Sequence, residues 1–301
     1  MGKLYISLDK KIAKIKFKRE NKFNILTAYK LSKILKSYDI LHVHTRHVYR
    51  YVKIVCLIFG VKTKLVFQDH YGKISIDKSI PKFFNTFLKP KYYIGVSSEL
   101  TNWAKNKLQV NHVFKLFNII IKEKIASTLK EKEGFVIVGN IKPVKNQLFA
   151  IQLSALLHKE LTIIGEIQDQ KYYDILIKEI ESLNYKNQVQ FLHGIDSVQQ
   201  LLPQFELGLM TSISESGPLV LIEYLSQNLP FIANQTGEVG VVLKKELPNL
   251  FIKNFDLNEW RNKTKKLENK NLQLDQLYSK YYSPNQYIKE CLKIYRSIKN
   301  S

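Results

Sequence analysis

Glu215 and Glu223 stand with seven residues between them in the stretch Thr211–Pro230. An ionised carboxylate only accepts hydrogen bonds, so the pair suits the hydroxyls of a sugar or a ribose. Between them, Ser216, Gly217 and Pro218 lead into Leu219 and an apolar run. Glycine permits a sharp turn or the close approach of a ligand, and proline fits the first position of a helix. The free amides at such a helix start form an anion site suited to phosphate. The run Leu219–Leu225 is apolar nearly all round, which predicts a buried helix ended by Asn228 and Pro230. Inside it Glu223 needs a partner or stays protonated. A capping Glu and a salt-bridged structural Glu are the competing reading.

A second constellation follows Gly139. Asn140, Lys142 and Lys145 lie in one short loop behind that glycine, an arrangement that binds phosphate through backbone amides and ammonium groups. Solvated loop lysines are the alternative. His70 follows the apolar strand Val61–Phe67, and His42, His44, Arg46, His47 and Arg50 crowd the end of another, Asp39–His44. Ligands bind at the carboxyl ends of strands in open α/β sheets. A polar strand end is the first reading of this cluster, and acceptor binding the second. No acidic or cysteine ligand follows at a spacing suited to a metal, so none is assigned.

The elements that must position these residues alternate strand and helix, which predicts parallel sheets. Strands are predicted at Leu4–Ser7, Ile12–Phe17, Asp39–His44, Val61–Phe67, Tyr92–Ser98 and Val113–Phe117, with helices at Ala28–Tyr38 and Glu99–Leu108. Further strands are predicted at Gly134–Gly139, Leu161–Gly165, Val189–Leu192, Glu206–Met210, Phe231–Asn234 and Leu250–Ile252. Helices are predicted from the Lys145 loop to about Leu157, at Lys171–Leu183, at Val198–Phe205 and at Ser283–Tyr295.

Of the 301 residues, 45% are hydrophobic, enough for a substantial core in one or two domains. Cys56 and Cys291 form no disulfide framework, and a reducing cytosol is the simplest setting. No apolar run approaches the roughly 18 residues of a membrane span, and the lysine-studded start is no secretory signal, so a soluble chain is predicted. The charge is unevenly placed. Residues 1–132 carry 28 Lys and Arg against 8 Asp and Glu, and residues 133–301 carry 19 against 18. Clusters such as Lys10-Lys11, Lys14, Lys16 and Lys18-Arg19 point to an anionic partner. Arginine is scarce, 5 residues against 42 lysines, and nucleic-acid motifs are absent. An anionic membrane surface is therefore favoured over nucleic acid.

The stretch Glu215–Pro230 resembles the E-x7-E motif of family-4 (group 1) retaining glycosyltransferases of the GT-B fold, and the likeness extends over residues 38–297. The resemblance implies two Rossmann-like domains with a cleft between them. It implies that Glu215 contacts the donor sugar and Glu223 the nucleotide ribose. Gly139 to Lys145 resembles the family's G-R-x4-K segment, with Lys145 on the lysine that holds the donor diphosphate. Asn140 replaces the arginine, removing a bidentate clamp for which Lys142 substitutes only in part. Gly165 resembles the glycine that ends a strand before a variable loop, His193 and Gly194 the backbone near the nucleobase, and His70 the histidine near the reacting sugar. Thr236–Gly240 resembles a glycine-bearing loop, and Ser283–Tyr295 the terminal helix that returns to the first domain.

These readings predict an acceptor-side domain at 1–120, a linker at 121–133, a nucleotide-sugar domain at 134–282 and a returning helix at 283–301. The predicted activity is metal-independent transfer, with retention, from a UDP- or GDP-linked sugar to a lipid-linked acceptor in capsule, O-antigen or exopolysaccharide assembly. The predicted location is the inner face of the cytoplasmic membrane. The family's opening Gly-rich loop has no counterpart here, so either the first domain is shortened or the start misses some residues. A degenerate member that only binds nucleotide-sugar or partner enzymes, or a UDP-sugar 2-epimerase, are the alternatives.

Overall fold

The structure is a computed structural model and describes residues 9, 11–15, 17, 24–71, 74, 77–125, 132–267 and 272–301. Its first sheet is built from α1 (Ile25–Leu35), β1 (Ile40–His44), α2 (Arg46–Ile58), β2 (Lys64–Asp69), β3 (Tyr92–Gly95), α3 (Ser98–Asn106) and β4 (His112–Lys115). The four strands pair in parallel in chain order. A parallel sheet covered on both faces calls for continuous apolar strands. Val66, Phe67, Tyr93 and Ile94 meet that demand and are fully buried.

The second sheet uses β5 (Phe135–Val138), α4 (Gln147–Leu156), β6 (Leu161–Ile164), α5 (Gln170–Ser182), β7 (Val189–Leu192), β8 (Leu207–Met210), α6 (Leu219–Ser226), β9 (Phe231–Asn234), α7 (Gly237–Glu246) and β10 (Phe251–Ile252). Its order is β10-β9-β8-β5-β6-β7, all parallel. From β5 the chain moves outward to β6 and β7, then returns to the other side of β5 as β8. The order reverses between β5 and β8, and the loops leaving their carboxyl ends part to form a crevice. Lys145 follows β5 and Glu215 follows β8, so the reversal places them on opposite sides of one opening.

Three helices complete the chain, α8 (Leu257–Lys265), α9 (Leu274–Tyr281) and α10 (Pro284–Lys299). Ser283 caps α10 and Pro284 occupies its first turn. Cys291, Ile294 and Ile298 of α10 pack on Val66, Tyr92, Ile94 and Leu116 of the first domain. Lys64 Nζ donates to the carbonyls of Ile298 (2.8 Å) and Lys299 (3.0 Å), satisfying acceptors that the helix end leaves free. The last helix thus belongs to the first domain's core, although the chain reaches it from the second.

Some predicted elements differ. Residues 198–205 form two short 3-10 turns, Val198–Gln200 and Leu202–Gln204, because Pro203 lacks the N–H a continuous helix needs. Thr236–Gly240 is not a loop, since α7 begins at Gly237. Arg46–Ile58, to which no helix was assigned, is one, burying Tyr49, Val52, Val55 and Cys56 at helical spacing. Leu4–Ser7 lies outside the described residues, and the described part of Ile12–Phe17 is not strand.

Close packing of α6 on β8 depends on Gly208. A Cβ there would stand 2.6 Å from the ring of Tyr224, which is fully buried and whose hydroxyl donates to Leu209 O at 3.2 Å. Gly208→Ala is expected to lower unfolding free energy by about 1–3 kcal/mol, read from the urea midpoint, because the rigid core has no room for the methyl.

Candidate functional site

The loop after β5 runs through Gly139, Asn140 and Lys142 into a 3-10 turn, Pro143–Lys145. Asn146 then takes a left-handed conformation (φ 52°) and α4 starts at Gln147. Lys145 therefore lies in the loop ahead of the helix, as the sequence suggests, and ends a tight turn there. The loop after β8 is bonded to that turn. Thr211 Oγ1 donates to the carbonyls of Lys145 (3.0 Å) and Asn146 (2.9 Å), and Ile213 N donates to Val144 O at 2.8 Å. Across the opening, Lys145 Nζ donates to Glu215 Oε1 at 2.5 Å. Both side chains keep about a fifth of their surface in solvent, at 20% and 17%. Gly139 leaves the lysine room, since a Cβ there would lie 3.2 Å from Lys145 Cε.

The tip of α6 lies beside this pair. Pro218 (φ −66°, ψ 104°) is the residue before the helix and not its first turn. Gly217 does not adopt a left-handed conformation. Its value is bareness: an added Cβ would lie 3.6 Å from Asn118 Nδ2 of the first domain. Ser216 O accepts from Glu238 N at 2.9 Å, and Glu215 N donates to Thr236 Oγ1 at 3.1 Å. Leu219, the first residue of α6, is 43% exposed. Glu223 lies one turn further in, half-buried, with no side-chain hydrogen bond to it among the described residues. Burial, then the nearby charge of Glu123, raises its carboxyl to about 7. Glu123 itself is held by Ser197 Oγ (2.6 Å) and Gln200 Nε2 (2.7 Å).

The remaining predicted residues of this domain gather at the ends of β5 to β7. Gly165 presses on the β5 loop so closely that a Cβ would meet Gly139 O at 2.3 Å. His193 Nδ1 donates to Gly165 O at 2.6 Å, and Gly194 N donates to Glu166 Oε1 at 2.6 Å. Asn140 Oδ1 accepts from Glu166 N at 3.3 Å, so this side chain ties two loops together. Lys142 is half-buried and precedes the Pro143 turn.

The first domain supplies an imidazole chain. His70 Nε2 and His44 Nδ1 share a hydrogen bond of 3.0 Å, His44 stacks on His42, and His42 Nδ1 bonds Tyr295 Oη at 2.6 Å. Burial lowers all three. His42 falls to about 4 with help from His44, while Asp69 partly offsets the effect on His70. Each is a neutral ring at neutral pH. Beneath them Asp69 is buried and fully partnered by Arg46 (2.7 and 3.0 Å), Tyr93 Oη (2.9 Å) and Tyr71 N (3.1 Å). Sequence reasoning did not anticipate Asp69, Glu123 or Glu238. Of these, only Glu238 carried a signal, an acid beside a glycine where a helix begins.

Two parallel-sheet α/β domains that present these groups to one another define the GT-B architecture. The chain belongs to the glycosyl transferases group 1, whose family model matches residues 120–285. N-acetyl-alpha-D-glucosaminyl L-malate synthase of Bacillus anthracis is 23% identical over 249 residues, 74% of this chain and 64% of that protein. The chain thus spans a little under two thirds of that relative's length. A glycosyltransferase from Rickettsia africae ESF-5 shares the fold with a TM-score of 0.78 and 16% identity, covering 96% of this chain and 85% of its own. Anabaena HepE in complex with UDP and glucose is similar at a TM-score of 0.74 and 14% identity, covering 95% and 85%.

Glu223 makes stability depend on pH. Its folded pKa of about 7 exceeds the ordinary carboxyl value of 4.5, so the unfolded chain loses this proton first. Stability contributed by the neutral carboxyl is complete below the ordinary value and is lost as pH rises through the folded one. Glu223→Gln is expected to exceed wild type by about 2–3 kcal/mol near pH 8, the gap closing below about pH 5, in denaturant titrations.

Proposed function

We propose that the chain is a retaining, metal-independent glycosyltransferase that moves a sugar from a UDP- or GDP-linked donor to a lipid-linked glycan acceptor. The observation that carries this reading is the Lys145–Glu215 pair across the crevice between β5 and β8. Without a donor, cation and carboxylate neutralise each other. A nucleotide-sugar offers each a better partner, diphosphate for Lys145 and sugar hydroxyls for Glu215. Ribose hydroxyls would supply the donors that the Glu223 carboxyl lacks. The solved complexes of HepE with UDP and glucose and with UDP-glucose support a nucleotide-sugar as the donor.

As the anomeric carbon–oxygen bond breaks, negative charge grows on the departing diphosphate. Lys145 and the amides at the start of α6 stabilise it where it develops. The acceptor hydroxyl attacks from the face the phosphate leaves, and its proton passes to the departing phosphate oxygen. Retention follows without a covalent sugar–enzyme intermediate. Neutral His70 hydrogen-bonds near the reacting centre. Lys142 and the β5 loop flank the diphosphate, and the Gly165, His193 and Gly194 edge flanks the base. Capsule, O-antigen or exopolysaccharide assembly is the setting this chemistry suits.

A lipid-linked acceptor requires a membrane-facing surface, and the first domain has the chemistry for one. Ile25 and Leu26 at the start of α1 are 66% and 69% exposed, and Ile58 at the end of α2 is 63% exposed. Tyr29 and Phe59 are in ring contact at 5.7 Å, which brings these two helix ends together. Lys30 and Lys33 on the same helix and Lys62 beyond Phe59 are exposed, and Lys33 Nζ lies over the Tyr29 ring at 4.8 Å. Apolar side chains flanked by lysines suit peripheral docking on an anionic leaflet. Among the described residues no helix is long and apolar enough to cross a membrane.

Glu215→Ala and Lys145→Ala are each expected to cut turnover of the donor by about 100-fold or more, with wild-type turnover unaffected by EDTA. Unchanged turnover in Glu215→Ala would remove that residue from the mechanism. In vesicle sedimentation, wild type is expected to favour phosphatidylglycerol over phosphatidylcholine, and the double variant Leu26→Glu, Ile58→Glu to lose roughly tenfold in affinity. Equal partition between the two lipids would count against the docking surface.

A further inference from the structure

Glu238 occupies the first turn of α7 in the second domain, yet its carboxylate is buried against the first. One oxygen accepts from Ser98 N at 2.8 Å, and the other accepts from Ser98 Oγ at 2.8 Å and Lys115 Nζ at 3.3 Å. Lys115 also donates to Ser98 Oγ at 3.1 Å, which closes a small network. Ser98 is the first residue of α3, so the carboxylate sits on the positive end of a helix that belongs to the other domain. Only 7% of Glu238 is exposed, and none of these partners comes from its own domain.

The same residue grips the donor side. Glu238 N donates to Ser216 O at 2.9 Å, and Thr236 Oγ1 accepts from Glu215 N at 3.1 Å. Gly237, at φ +71°, lies so close that a Cβ would come within 2.7 Å of Pro218 Cδ and 3.1 Å of Glu215 O. Residues 236–238 therefore hold the turn 215–218 by close contacts that leave it little freedom. A displacement of Ser98 relative to Glu238 pulls on the support of Glu215.

We propose that Glu238 is a positioning residue that latches the two domains closed and, by the same attachment, sets the turn that carries Glu215. The physics allows a latch that releases. Closing strips water from the carboxylate, and three charge-assisted hydrogen bonds offset that cost. Opening returns the carboxylate, Ser98 and Lys115 to solvent, where each is well hydrated. Apolar packing alone would lack this near balance. Nothing in the geometry requires Glu238 to touch the donor.

The test uses the full chain. Small-angle scattering without ligand is expected to show Glu238→Ala and Ser98→Ala more expanded than wild type. Glu238→Gln, which keeps an acceptor for Ser98 but loses the ion pair with Lys115, is expected to fall between. Profiles that coincide with wild type for all three would overturn the latch. Should Glu238→Ala fail to fold, the other two variants decide the matter in the same way.

A second arm reads positioning and rests on the proposed activity. In Glu238→Ala, donor turnover is expected to fall about ten- to hundredfold while UDP affinity by calorimetry changes less than about threefold, the split that loss of a closed-state contact produces. Parallel loss of UDP binding and turnover would mark a merely structural residue and overturn the positioning role. If wild type binds neither UDP nor GDP, the proposed function fails, and the ligand-free scattering still decides the latch.

Discussion

Parallel pairing of β8 with β5 is the constraint on which the site depends. Phe135 pairs with Leu207 and Ile137 with Leu209, although some seventy residues separate the two strands. The pairing fixes where each strand ends, and with it where the loops bearing Lys145 and Glu215 begin. Apolar burial sets that register, because Val136, Ile137 and Leu209 are buried in a shared core. A polar contact at 2.5 Å is thereby positioned by residues whose side chains are wholly apolar. Tyr224 under Gly208 and Gly165 against Gly139 extend the same control to α6 and to the β6 edge.

Two acidic groups show how the fold separates scaffold from ligand-facing chemistry. Asp69 is buried, and Arg46, Tyr93 and Tyr71 satisfy it. Such a group is rigid and has nothing left to offer a ligand. Glu223 is half-buried, lacks a side-chain donor among the described residues, and lies near a second carboxylate that raises its proton affinity. That environment costs the protein stability, and hydroxyl donors from the proposed ribose would relieve it. Perturbed carboxyls of this kind mark sites where function has outweighed stability. The imidazoles at the ends of β1 and β2 follow the same logic, since burial keeps them neutral and able both to give and to accept one hydrogen bond.

Much of this was legible in the sequence because the strands are short apolar runs bounded by polar residues. Val189–Leu192 and Phe231–Asn234 were predicted at the residues the structure shows. The α6 segment could be read for a similar reason, as an apolar block with a glycine and proline before it and an asparagine and proline after it. Arg46–Ile58 escaped because its opening is polar, and its histidine and arginines drew attention to the strand end instead. Leu257–Lys265 and Leu274–Tyr281 escaped because they bury little, chiefly Trp260 and Thr264 in one and Leu274 and Tyr278 in the other. The partners of Glu238 could not be read at all. Local periodicity says which face of α7 is buried, but not that Ser98 and Lys115 lie against it from another domain.

Charge placement divides the work of the two domains. The excess of lysine lies in residues 1–132, yet the cations beside Glu215 come from the balanced remainder. A cavity of about 540 Å³ lined by Lys36, Lys62, Lys64 and Lys299 adjoins the amino ends of β1 and β2. The crevice with Lys145 and Glu215 adjoins the carboxyl ends of strands in the other sheet. With a Debye length of about 8 Å at physiological salt, solvent-exposed lysines on opposite ends of a domain act independently. The lysines of that cavity therefore contribute little to the potential in the crevice. Under the proposed reaction a diphosphate would rely instead on Lys145, Lys142 and the amides of α6, and Asn140 in place of the family's arginine would bear directly on its binding.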